Sequence, residues 1–293
     1  MPHILKNQHF EIQIDFPLEH YTLSRFDWTG KISSVKYKGI PISSVESRDS
    51  ENEDHFGKGF YNEFGIDKAL GFEAADIGGW FHKMGVGLLK KDSETYNFAK
   101  SYEIKPAEFK VITKPNKVII TCTSEAVNGY SYVLKKEISV LGNQFSISYE
   151  LQNTGRNDII TDEYVHNFTL INTDLIDPSY ILKFPFQIYP EHFEETVNPE
   201  NKVLIGQNDF KFKGEHQTPF FFSNLSGDKT VTGGWTLVNR KSNLAISETT
   251  NFKTNKVNLW GCNHVVSPEL FININVKPGE VQAWTRTYKV FDL

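Results

Sequence analysis

Two residues of this 293-residue chain are best placed to move protons: a histidine inside one apolar strand and a glutamate opening another. His166 lies in DEYVHNFTLI (162–171), where period-two spacing puts Tyr164, His166 and Phe168 on one face. Histidine titrates near neutrality, so one framed by aromatics on a sheet face can floor a cleft and donate a proton. The strand by itself equally describes a core histidine hydrogen-bonded to backbone, and that is its default reading. Glu269 follows Pro268 and starts a run in which Ile272, Ile274 and Val276 take one face. Glu269, Phe271, Asn273 and Asn275 take the other. A carboxylate there is by default a solvent-facing edge charge. The alternative is a group buried among aromatics, whose pKa then rises into the range useful for proton transfer.

The elements that must position these residues read as strands. HFEIQIDF (9–16), KISSVKYKG (31–39), EFKVITK (108–114), NKVIITCTS (116–124), YSYVLKKEISVL (130–141) and NQFSISYELQN (143–153) largely alternate apolar with polar. Turn signals separate them, among them KPN at 114–116, NG at 128–129 and LGN at 141–143. The later half continues in the same rhythm. Such a series predicts one large all-β domain over 1–293, an antiparallel β-sandwich. Residues 43–91 break the rhythm with an acidic stretch and repeated glycines, which reads as a long functional loop or a crossover between sheets.

Composition narrows the function. A net charge of −5 gives no basic footprint for nucleic acid, and no apolar run is long enough to span a bilayer. With 23 Phe and 12 Tyr the chain is rich in flat surfaces that suit sugar rings. Two cysteines, Cys122 and Cys262, and no secretory leader fit a cytoplasmic protein, with Cys122 as a buried free thiol. No Cys/His cluster suggests zinc; carboxylates of the 46–54 loop are the one place to collect Ca²⁺. No phosphate-cradling loop or nucleophile elbow is present. Ser267, beside His264 and Glu269, has no spacing that would make it a nucleophile.

Four segments in order resemble the aldose 1-epimerase, or galactose mutarotase-like, superfamily. RFDWTGKISSVKYKG (25–39) resembles its opening hairpin, and GGWFHKMGVGLLKK (78–91) its glycine-rich approach to the sugar cleft. DEYVHNFTLIN resembles the strand that presents a histidine acid. VVSPELFININVKPGEVQAWTRTYKV (265–290) resembles the C-terminal strand pair that begins with a glutamate base. The resemblance implies a galactose mutarotase-like supersandwich that interconverts the α and β anomers of an aldose, with His166 as acid and Glu269 as base. It implies a small-molecule sugar as partner and needs no metal or organic cofactor. His82, Lys83, Trp80, Tyr164 and Lys100 are the candidates for sugar contact. In YNFAKSYE (96–103), Tyr96 and Lys100 stand where sugar-6-phosphate relatives carry histidine and arginine, so one point charge replaces a planar fork. A non-catalytic sugar binder is the alternative. So is a glycosidase pairing Glu269 with Asp162, Glu163 or Glu248, although the pleat turns Glu163 away from His166.

Overall fold

In the computed structural model, which describes residues 2–48, 50–227 and 229–293, nearly every regular element is a strand. The side chains of Ser50, Glu51 and Asn52 are likewise outside the description. A seven-stranded and a ten-stranded sheet, both antiparallel, face each other across the main core. This is the sandwich that the alternating runs predict. The alternation is plain in Tyr132–Leu141, whose burial switches at every residue along its ladder with Gln144–Asn153. No helix among the described residues is long and apolar enough to cross a membrane. Cys122 and Cys262 are both buried free thiols.

The stretch 43–91 is not the single long loop that its glycines suggest. It contains the strand Phe60–Phe64, central in the seven-stranded sheet, and the hairpin Trp80–Lys83 with Gly87–Lys90, which belongs to a separate three-stranded sheet. Their residues are buried almost throughout, so alternation is lost and a period-two search misses them.

The strand that matters most is Ile159–Asn167. From Glu163 onward it is buried on both faces. Outward it presents Tyr164 and His166; inward it presents Glu163, Val165 and Asn167 towards the ten-stranded sheet. One neighbour is Phe60–Phe64, with Tyr61 opposite His166 and Glu63 opposite Tyr164. The other is Ile272–Val276, ending at the pair Glu163 and Ile272. Beyond that pair the partners part. The chain N-terminal to Phe271 leaves as the strand Val265–Leu270, which joins a four-stranded sheet through Val257–Cys262. Contact resumes where Thr169 and Val266 exchange backbone hydrogen bonds.

The fork has a local cause. Pro268 lies opposite Asn167 in this register and has no N–H to give. The Asn167 side chain fills the gap, donating from Nδ2 to the Pro268 carbonyl at 2.6 Å. Arg286, from the C-terminal strand Val281–Asp292, reaches the fork from the opposite sheet. It is fully buried. Its Nη2 meets the Glu163 carboxylate at 2.8 Å and the Leu270 carbonyl at 2.9 Å, and Nη1 meets Glu248 at 2.9 Å. Two buried carboxylates around one cation are tolerable only while that cation stays. Arg286→Met should therefore lower stability by about 3–5 kcal/mol in urea unfolding; a loss below about 1 kcal/mol would show that the clamp is dispensable.

Candidate active site

Where the strands fork, a cleft of about 580 Å³ opens between the seven-stranded and four-stranded sheets. Its lining includes Arg25, Tyr164, His166, Trp260 and Glu269. The register explains why the last acidic and the imidazole side chains meet. Glu163 lies opposite Ile272 and Thr169 opposite Val266, so continuing one ladder through the fork sets His166 opposite Glu269. Their side chains meet, Nε2 to Oε1, at 3.3 Å. Glu269 is 4% exposed, so it is the buried carboxylate and not the edge charge. Its strand ends at Leu270; the pattern Ile272, Ile274, Val276 belongs to the next strand, in a different sheet.

Ser267 closes a triangle. Its Oγ is 2.7 Å from His166 Nδ1 and 3.4 Å from Glu269 Oε1. The hydroxyl is buried and engaged, so it orients the imidazole and is not itself presented to a ligand. Phe168 stacks on the imidazole at 4.0 Å between centroids, and Trp260 meets it edge-on at 5.2 Å. Gly57 permits this packing from behind, because a Cβ there would fall 2.5 Å from the Phe168 ring.

Burial sets the protonation of the pair. It holds His166 well below the ordinary histidine value, with the Arg25 charge adding to the effect. It pushes Glu269 up to about 8, against the opposing pull of Arg25. The pair therefore holds one proton at neutral pH, with the uncharged form, Glu269 protonated and His166 neutral, favoured by desolvation.

Arg25 forms the adjoining wall. It donates from Nε to Glu63 at 3.0 Å and from Nη1 to Glu46 at 2.9 Å, and it lies between the rings of Phe26 and Phe98. Glu63 also accepts from the Tyr164 hydroxyl at 2.7 Å and from Lys83 at 3.4 Å. Tyr164 thus lines the cleft and is fixed from below.

The other sugar-contact candidates lie elsewhere. Lys83 is one layer down, buried between Glu63 and the Tyr96 hydroxyl, and positions Glu63 instead of touching a ligand. His82 is fully buried against Tyr130 and Tyr132, away from the cleft, where burial lowers its pKa to about 4. Trp80 stands under Lys90 on the separate hairpin. Lys100 pairs with Asp92 and lines a smaller hollow beyond Phe98. The glycosidase partners also fall away. Glu163 and Glu248 are committed to Arg286 inside the sandwich, and Asp162 is not part of the cleft lining. Among the described residues no group of three His, Cys, Asp or Glu could hold a metal ion. Asp49 of the acidic 46–54 loop lies outside them.

By sequence, no family model and no curated protein matches the chain. By structure it is similar to a protein from Synechocystis sp. PCC 6803, with a TM-score of 0.63, 11% identity, and 100% of this chain and 96% of that one covered. It is also similar to a galactose mutarotase-like protein from Lactobacillus casei, with a TM-score of 0.61, 12% identity, and 99% and 100% covered. A galactose mutarotase related enzyme from Lactobacillus acidophilus gives a TM-score of 0.60, 10% identity, and 100% and 98% covered. The chain has the galactose mutarotase-like fold.

Ser267→Ala removes the oxygen beside Nδ1 while leaving the strand intact. Its stability cost should be about 1 kcal/mol. Imidazole ¹⁵N shifts should show a changed tautomer balance at His166; unchanged shifts would deny Ser267 its orienting role.

Proposed function

We propose that the protein interconverts the α and β anomers of a reducing sugar by acid/base ring opening. The observation that carries this reading is the buried His166–Glu269 pair, 3.3 Å apart on opposed strands at the floor of an aromatic-lined cleft. Transfer of the shared proton from Glu269 to His166 gives an imidazolium beside a carboxylate. Glu269 then takes the proton of the anomeric hydroxyl as the C1–O5 bond breaks. His166 gives its proton to O5, and the open aldehyde results. Rotation about C1–C2 turns the other carbonyl face to the same hydroxyl, and closure returns each proton. Each positioned transfer is worth roughly 10²–10⁴-fold. Arg25, with guanidinium N–H groups not used by its two carboxylates, is suited to a sugar hydroxyl. Solved structures of this fold with mutarotase-related names support the reading at the level of fold.

Exchange NMR on the anomeric signals of an aldose panel tests it. The protein should accelerate exchange of at least one free sugar, and His166→Ala and Glu269→Ala should each lose about 10²-fold or more. Sugar binding without acceleration would make this a binding protein of the same fold.

The pH profile follows from the shared proton. Above about 8 the proton on Glu269 leaves and no acid remains, so kcat/KM falls. On the acid side a second proton must go to His166, whose depressed pKa keeps activity flat well below the ordinary histidine value. An alkaline limb that stays at the same pH in Glu269→Gln would assign that limb to another group.

A further inference from the structure

We propose that the cleft selects reducing sugars that are uncharged or carry an amino group and turns away phosphorylated or carboxylated ones, with Glu194 and Glu195 as specificity-determining residues. The inference rests on the acid/base reading of the same cleft. A phosphate site needs cationic donors free to turn to the ligand. Here the two cations of the cleft lining, Arg25 and Lys256, are already paired. Arg25 is held by Glu63 and Glu46. Lys256 Nζ is 2.8 Å from Asp67 and lies over the Phe271 ring. Lys83 is sealed beneath Glu63, and Lys100 is 2.7 Å from Asp92 in the neighbouring hollow.

The carboxylates are not spent in the same way. Glu194 and Glu195 are exposed cleft residues, and among the described residues neither meets a cation within 4.0 Å. Their backbone is fixed to the cleft wall. The Glu195 N–H donates to Ser223 Oγ at 2.7 Å, and the Ser223 N–H donates to the Glu195 carbonyl at 3.1 Å. At the floor, Glu269 spends Oε1 on His166 and Ser267, which leaves Oε2 without a partner among the described residues, in a residue almost wholly buried. An entering ligand therefore meets donors already neutralised and acceptors still open. A ring of hydroxyl and ammonium donors satisfies that arrangement. A phosphate dianion meets two uncompensated carboxylates and a guanidinium whose charge Glu63 and Glu46 already offset. The discrimination expected of two partly solvated charges is about threefold to tenfold, and salt should weaken it.

The test compares anomeric exchange of glucose, glucosamine and glucose 6-phosphate, at a pH where the amine is protonated, for the native chain and for E194Q/E195Q. The ratio of kcat/KM for glucosamine over glucose 6-phosphate should exceed one. It should fall about threefold to tenfold in the double variant and decline with added salt. Equal or better turnover of the phosphorylated sugar overturns the inference and leaves the acid/base reading standing. Exchange of no sugar overturns the acid/base reading, and saturation-transfer NMR with the same three sugars then decides the selectivity. Preferential glucosamine binding sustains the inference; no binding, or preference for the phosphate, overturns it.

Discussion

One buried guanidinium holds the site together. Arg286 lies between two carboxylates and a strand-end carbonyl at the point where two paired strands separate. Burying an ion is costly unless opposite charges offset it, and here the partners come from three strands of three sheets. The arrangement specifies where the fork falls more than it adds to stability. Glu163 is further held by Asn62 and the Trp284 indole, and Glu248 by Asn167 and the Trp235 indole. Asn62 in turn accepts from Lys136, which pairs with Asp27. A polar seam thus runs beneath the strand whose other face carries the chemistry.

Everything above the seam follows from the strands' separation. Two antiparallel partners kept in one register but denied hydrogen bonds leave a groove between them. Side chains that would be ordinary cross-strand neighbours then become the floor of a cleft. His166 and Glu269 are such neighbours. Aromatic packing removes water from them, and that removal explains why one proton serves two groups.

The sandwich was legible because long strands such as Tyr132–Leu141 face a core on one side and solvent on the other. His166 and Glu269 were legible as residues, but their facing was not, since neither strand alone contains the register. Arg25 went unread because it lies in a loop, in a segment noticed for its hairpin. Arg286 did leave a signal. In WTRTYKV it shares its face with Trp284, Tyr288 and Val290, and an arginine on so apolar a face calls for buried carboxylates. His82 and Lys83 are near the glycines in sequence, but their hairpin packs behind the site. Burial on both sides erased the alternation that would have shown it.

The strand Val281–Asp292 follows every other described strand in chain order, yet it is among the most interior. It pairs on one edge with Leu244–Thr254 and on the other with Gln144–Asn153, in the middle of the ten-stranded sheet. A chain emerging from the ribosome carries both neighbours long before the strand that joins them, and Glu163 and Glu248 wait without their cation. The two halves of the large sheet close only by late, long-range insertion, the slow kind of β pairing. Until then their open edges depend on other protection. Synthesis of Val281–Asp292 is thus the step that brings Arg286 to its two carboxylates.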